Sequence, residues 1–374
     1  GIAGWNGSSF FLGAFIDSSG LGSDQAGLIA AIELAVMGIT MLIVAPLVPR
    51  INFDQAIRLS GALIIATQVA SAFLHEFESL MAVRALSGAA FGVVYGLISA
   101  AGGAAVDPDK TFARAATIQL LIAMPMGPAL GASMDAAGQL GVFMFMTGYC
   151  GLAWAVMIAL PLHRDVSRQH AAVATASTMP KVIAVIGVVL VTALFGFATN
   201  GLWFFVERIG RTIGMSGVQI GIAMSTIGPF SMIGAFAASA ITRRVHRAIP
   251  VGVSLALVGV FTWLFINAPT PLVFTFFLVA WGASYWSAYP YIFGLASAVD
   301  VQGRVASMAG STLILSSALG SYGVTYIDKH WGLAAYGAIT ASMCVAAGLL
   351  AALVALTLPD ARDKLSTLTA KAKA

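Results

Sequence analysis

Uncharged, apolar runs of about 20 residues recur along the whole chain, and the short clusters between them hold nearly all of its charge. The runs fall at 1–17, 25–48, 56–74, 79–105, 113–134, 138–160, 181–206, 217–241, 248–267, 271–298, 304–327 and 331–358. A helix of about 20 residues rises about 30 Å, enough to cross the hydrocarbon of a bilayer. The pattern predicts an all-α transmembrane fold of twelve helices. Within the long uncharged stretch after Arg247, the break is set at Asn267-Ala-Pro-Thr-Pro271, because proline and the residue before it disfavour helix. One long polar connection, His163 to Pro180, separates six spans from six. The predicted organisation is therefore a bundle at 1–162, a linker at 163–180, a second bundle at 181–358 and a tail at 359–374. No charged residue precedes the first apolar run, so the first span is expected to begin upstream of Gly1.

Composition agrees with a bilayer as solvent: 59% of residues are hydrophobic and 9% are charged, against about 25% charged in soluble domains. Lys and Arg exceed Asp and Glu by only 19 to 15 and are dispersed through short loops, which is no nucleic-acid footprint. Their placement reports orientation instead. With the N-terminus inside, Arg208, Arg211 and Lys329 fall outside, Arg84 falls within the membrane, and the other fifteen of nineteen are cytoplasmic, so both termini are read as cytoplasmic. Cys150 and Cys344 lie in apolar runs and are read as small core residues. All five histidines fall in predicted loops, there is no HExxH or Cys/His cluster, and no lysine follows a glycine. Neither a metal, a cofactor nor ATP-driven chemistry is predicted.

The two halves repeat each other. Asn6-Gly7-Ser-Ser-Phe10-Phe11 matches Asn200-Gly201-Leu-Trp-Phe204-Phe205 at an offset of 200 − 6 = 194. The same offset pairs Gly27 with Gly221, Gly88 with Gly282 and Tyr95 with Tyr289. Asp107 pairs with Asp300 at 193, and Ala129-Leu-Gly131 with Ala318-Leu-Gly320 at 189.

Twelve spans, a 6+6 repeat and a central linker resemble the major facilitator superfamily. Leu80-x-x-x-Arg84-x-x-Ser87-Gly88 is similar to that superfamily's fourth-helix motif, whose arginine is associated with proton coupling. Gly127-Pro128-Ala-Leu-Gly131-Ala132 resembles the fifth-helix motif common among proton-driven exporters. Ala45-Pro-Leu47-Val-Pro49-Arg50 resembles the gating motif after helix 2 only in part: Pro49 stands where an acidic residue is usual, and no basic cluster follows. The resemblance implies alternating access of two bundles around a central site, driven by protons, in a bacterial inner membrane.

Candidate residues follow from charges and polar groups inside spans. Arg84 sits inside an uncharged run that lasts to Asp107, and Glu33 is the acidic residue well inside a span. A charge at such depth costs at least about 2.5 kcal/mol against lipid, so both must face protein or water. A carboxylate in low dielectric tends to take a proton and a nearby arginine tends to keep it ionised, an opposition that makes a protonation switch. Glu33 and Arg84 are therefore either a proton-coupling pair or a fixed structural ion pair between helices 2 and 4. Arg84, Gly88, Phe91 and Tyr95 share one helical stripe, matched in the repeat by Leu278, Gly282, Tyr285 and Tyr289, with Trp281 and Trp286 adjacent.

The expected substrate contacts are Asn6, Phe10, Arg84, Phe91, Tyr95, Asn200, Trp203, Trp281, Tyr285 and Tyr289. The aromatics among them alternatively pack with one another or form an interfacial belt. Matched Asn6 and Asn200 on helices 1 and 7 either line the cavity or bond between helices. Gates are expected at the outer pair Asp17 and Arg211, or these are solvated loop charges. On the inner side they are expected at Arg50, and at Asp107 with Arg114 and Asp300 with Arg304, two matching pairs that otherwise anchor their loops.

The resulting expectation is a monomeric, bilayer-embedded secondary transporter, not an enzyme. It exchanges protons for a small hydrophobic or aromatic molecule, in the direction of export. Proton-coupled uptake of an organic anion held by Arg84 is the alternative. A receptor or assembly factor on the same scaffold should lack convergent intramembrane charges, and an intramembrane enzyme should show a nucleophile with its base.

Overall fold

The structure is a computed structural model that describes residues 3–103, 108–159, 182–242, 245–246, 248–299 and 304–358. These form eleven helical elements: α1 (Ala3–Ser19), α2 (Ser23–Val44), α3 (Phe53–Phe73), α4 (Phe77–Gly103), α5 (Pro108–Ala159), α6 (Val182–Thr212), α7 (Gly217–Thr242), α8 (Ala248–Ile266), α9 (Pro271–Val299), α10 (Arg304–Trp331) and α11 (Leu333–Leu356). A short 3-10 helix over Ala45–Arg50 follows α2, so that helix stops four residues before the expected end of its span. Pro46 and Pro49 account for the early stop, since each lacks the amide an α-helix needs.

The spans expected at 113–134 and 138–160 are joined in α5, which is interrupted by non-helical Ala137 and by Gly138 at φ 55°. Glycine takes that left-handed backbone without the Cβ penalty other residues carry. Around the break the chain doubles back along α1. Gln139 N donates to Ser18 Oγ at the far end of α1, Leu130 lies by Gly7, and Phe143 stacks on Phe11 and Phe15 at 4.9 and 5.4 Å. Asn267–Thr270 interrupts the chain between α8 and α9 as expected, with Pro271 opening α9, where its missing N–H costs nothing. His330 lies in the last turn of α10, a correction to its expected loop position.

Eight of the described helices are long and apolar enough to cross a membrane. Large apolar side chains such as Ile183, Leu152, Leu272 and Phe276 project outward all round the bundle. That much exposed apolar surface requires hydrocarbon as its solvent, and the chain is an integral, multi-pass membrane protein.

Helices α1 to α5 pack among themselves, as do α6 to α11, and the two groups meet through α2 on α10, α5 on α7 and α1 on α6. The α5–α7 contact is backbone on backbone. Gly127 faces Gly221 and Gly131 faces Gly217, so closely that a Cβ added at Gly127 would lie 2.5 Å from the Gly221 oxygen and one at Gly217 would lie 2.6 Å from the Gly131 oxygen. Both glycines of the Gly127-Pro128-Ala-Leu-Gly131 sequence thus serve the junction between the groups. The end of the bundle holding the α1–α2 turn is called the upper end below.

Candidate functional site

Two glycines set the position of Arg84. A Cβ at Gly88 would collide with the Glu33 carbonyl, and one at Gly92 would lie 2.6 Å from that of Met37. Both pairs have the same offset, 88 − 33 = 55 and 92 − 37 = 55, so α4 lies parallel against α2 in a fixed register. Arg84 is one turn before Gly88, and the Glu33 side chain leans toward the start of its own helix, as helical side chains do. The two therefore meet.

Arg84 is completely buried. Its Nε donates to Glu33 Oε2 at 3.0 Å, its Nη2 to Glu33 Oε1, and its Nη1 to Gln68 Oε1 of α3 at 3.1 Å. The guanidinium lies 5.0 Å from the ring centre of Phe11 (α1) and 5.4 Å from that of Phe143 (α5). A two-pronged, charge-assisted bond and two ring faces surround the cation with the groups that stabilise it best outside water. Five helices each give one side chain to the network. Glu33, 14% exposed, is the one member of the network with an open side, whereas the arginine has none. Gln68 and Phe143 escape the sequence reading, although a glutamine inside the apolar run 56–74 is itself a signal. The Nε2 of Gln68 and the Oγ of Ser87 are buried without hydrogen-bond partners among the described residues.

A second group lies across the junction. On α9, Trp281 contacts Tyr285 at 5.6 Å between ring centres, and Tyr285 contacts Trp286 and Tyr289 at 5.7 and 6.3 Å. From α6, Phe195 stacks on Tyr285 at 5.0 Å and Trp203 on Trp281 at 6.3 Å. The Asn200 amide donates to the Gly196 carbonyl at 3.3 Å and also meets the Tyr285 hydroxyl. Tyr95 of α4 lies within electrostatic range of both Tyr285 and Tyr289. Tyr95 and Tyr289, equivalent in the repeat, thus approach each other from opposite halves. The Nε1 of Trp281 is buried with no hydrogen-bond partner among the described residues.

The remaining candidates are distributed as follows. Phe10 is fully buried and Phe91 nearly so, both in the apolar core. Asn6 lies on α1, Arg114 on α5 and Arg304 at the start of α10, with their side chains outside the described residues, as are Asp107, Asp300, the 163–180 linker and the 359–374 tail. Arg50 is exposed at the end of the 3-10 helix. Asp17 does not meet Arg211: it accepts from Arg208 Nη1 at 2.6 Å, while Arg211 bonds Asp135 and Glu207 at 2.7 Å each. Helix α6 continues six residues beyond the expected span, and residues 208 and 211 point along different lines of it, so each arginine finds a different acid. Lys329 of α10 bonds Asp24 of α2 at 2.8 Å. Among the described residues, no group of three or more His, Cys, Asp or Glu is placed to hold a metal.

The family model described as Major Facilitator Superfamily matches residues 2–299. Several solved structures are similar in fold. The D-xylose-proton symporter matches at TM-score 0.69 and 14% identity, covering 95% of each chain. The peptide transporter POT in complex with alafosfalin matches at TM-score 0.74 and 15% identity, covering 95% of this chain and 92% of that one. The nucleoside transporter NupG matches at TM-score 0.67 and 13% identity, covering 94% and 96%. Among curated protein sequences none matches at a significant level.

Proposed function

Because the chain belongs to the major facilitator superfamily, we propose that it is a secondary active transporter that exports a small hydrophobic or aromatic molecule in exchange for protons. The two groups of helices, 1–162 and 181–358, are its two bundles, crossing the membrane twelve times with both termini cytoplasmic and the upper end facing outside. The membrane is the bacterial inner membrane and the working unit is the monomer.

The aromatic group that bridges the halves carries this reading. Tyr285 and Tyr289 from one side and Tyr95 from the other offer apolar ring faces with hydroxyl edges, backed by the buried Trp281, the surface that aromatic cargo needs. Uptake of an organic anion comes second for a structural reason. Arg84 has Nε, Nη1 and Nη2 engaged by Glu33 and Gln68 and exposes no surface, so it has no free face for a carboxylate. Glu33, at the open side of the network, is the proton acceptor. When it is protonated its hold on Arg84 weakens, and the α2–α4 contact becomes free to shift.

The test begins with a thermal-shift screen of aromatics, organic acids and cationic drugs, followed by assay of the binders in proteoliposomes. A binder should dissipate an imposed proton gradient, and Glu33→Gln should abolish gradient-driven accumulation while exchange persists. Unchanged concentrative transport in Glu33→Gln would assign Glu33 to structure. If no binder dissipates the gradient, coupled transport is wrong.

For the same binder, Tyr285→Ala should weaken binding by about tenfold or more, since it removes a ring contact worth about 0.5–1.5 kcal/mol together with buried apolar area. Tyr285→Phe, which loses only the hydroxyl, should cost a few-fold. Equal affinity across wild type and both variants would remove Tyr285 from the binding surface.

A further inference from the structure

A second buried carboxylate lies near the upper end, remote from the Glu33–Arg84 pair in sequence and on the other half. Glu207 of α6 is fully buried. Its Oε1 accepts from Arg211 Nε at 2.7 Å, whereas its Oε2 is buried with no hydrogen-bond partner among the described residues. That oxygen lies over Gly13 of α1, where an added methyl would collide with it. Residues 13 and 207 differ by 194, the offset of the repeat, so equivalent positions on the two halves meet here.

Arg211 is shared. Its Nη2 donates to Asp135 Oδ1 of α5 at 2.7 Å, and Asp135 in turn accepts from the N–H groups of Gly217 and Val218 at 3.1 and 3.3 Å, in the first turn of α7. One continuous set of bonds thus joins α6 and α7 to α5 across the junction.

The charges facing Glu207 do not cancel. Two carboxylates, Glu207 and Asp135, share the single guanidinium of Arg211, and of the two only Asp135 has further donors, the N–H groups of Gly217 and Val218. Arg208 lies within electrostatic range of Glu207, but so does Asp17 of α1, to which Arg208 is bonded, and Asp328 of α10 also lies within range of Arg208. Lys329 is bonded to Asp24. From α1, Ser9 Oγ accepts the backbone N–H of Glu207 at 2.8 Å. Among the described residues no cation is left for Oε2. A buried, undonated carboxylate oxygen in a site of net negative charge favours addition of a proton, which neutralises the excess. Separating the halves at this end would admit water and favour the anion again.

We propose that Glu207 is a proton-binding site whose occupation holds the upper end of the transporter shut, acting through the Arg211–Asp135 bond. The step is one proton added to the carboxylate from water and returned to water, with no other bond made or broken. The proposal rests on the transporter reading only in naming this end the outer gate.

The test is a distance measurement with neither substrate nor gradient. Gln25 on α2 and Gln219 on α7 are exposed at the upper end of opposite halves and serve as spin-label positions, while the buried Cys150 and Cys344 stay unlabelled. In nanodiscs, the ratio of closed to open distances should rise as pH falls, by up to about tenfold per pH unit for one linked proton. Glu207→Gln, neutral and of the same shape, should stay closed and change less than about twofold over the same range. Glu207→Asp, which keeps a titrating group, should restore the dependence at a displaced midpoint. A wild type whose distances ignore pH, or a Glu207→Gln variant that titrates like wild type, would overturn the proposal. Titrating distances together with absent gradient-driven transport would overturn the transport reading and leave this site standing.

Discussion

Arg84→Ala is expected to be among the most damaging single substitutions in this protein. It strips the cation from Glu33, leaves Gln68 Oε1 unbonded and opens a void between the rings of Phe11 and Phe143. Removing one partner of a buried ion pair costs about 3–5 kcal/mol, because the other charge stays behind without compensation. The purified variant should lose several degrees in its thermal transition and lose transport entirely. Arg84→Lys keeps the charge but not the planar fork, so one ammonium has to replace bonds to Glu33 and Gln68 that leave the guanidinium in different directions. It should fall between wild type and alanine. Adding Glu33→Gln to Arg84→Ala should recover part of the lost stability, because the stranded charge is then gone, and the double-mutant cycle reads the coupling directly. An Arg84→Ala protein that melts with wild type would show that the pair contributes nothing to the fold.

The second large effect is expected at Gly131. A leucine there would drive its side chain into the backbone of Gly217, where no flexible neighbour is present to yield. Overpacking costs about 1–3 kcal/mol even in cores that relax. Here the simplest relief is separation of α5 from α7 at the upper end. The ratio of closed to open protein should fall about tenfold for each 1.4 kcal/mol of overpacking, and net transport should fall with it while the protein still folds. Gly217→Leu acts on the same contact from the other side and should behave alike. Gly148→Leu is the control, because nothing surrounds that position. If Gly131→Leu transports as well as Gly148→Leu, the glycine contact has no part in closure.

Much of this was legible in the chain. The apolar runs gave the helices because a bilayer demands continuous apolar length, and the meeting of Glu33 with Arg84 followed from two ionisable groups with few ways to be satisfied at that depth. The register that brings the two together is set by Gly88 and Gly92, one and two turns after Arg84, which lie against the α2 backbone.

Glu207 was not legible, because it follows the apolar run 181–206 and precedes Arg208 and Arg211, a pattern that reads as the charged end of a span. The helix continues past the run, and burial there is set by α1 of the other half. Two signals did exist: Glu207 and Arg211 have the four-residue spacing of a helical ion pair, and the 194 offset sets Glu207 against Gly13, well inside the first span. The partner of Asp17 depended on the rotation of α6 by three residues, which hydrophobic pattern does not specify. Phe11 and Phe143 as ring faces for Arg84 depended on the doubling back of α5 at Gly138, a long-range contact that no local pattern carries.

The junction of α5 with α7 has a mechanical consequence. Most helix pairs interlock by side-chain ridges, so moving one against the other means lifting knobs out of holes and changing rotamers. At Gly127, Gly131, Gly217 and Gly221 there are no knobs. Backbone bears on backbone there, and tilting the strips apart lifts no side chain of these four residues out of a hole. If the halves part here as proposed, such a bearing offers little friction, and the pace of opening follows the polar bonds beside it, which break and re-form in water, and not the unpacking of a core.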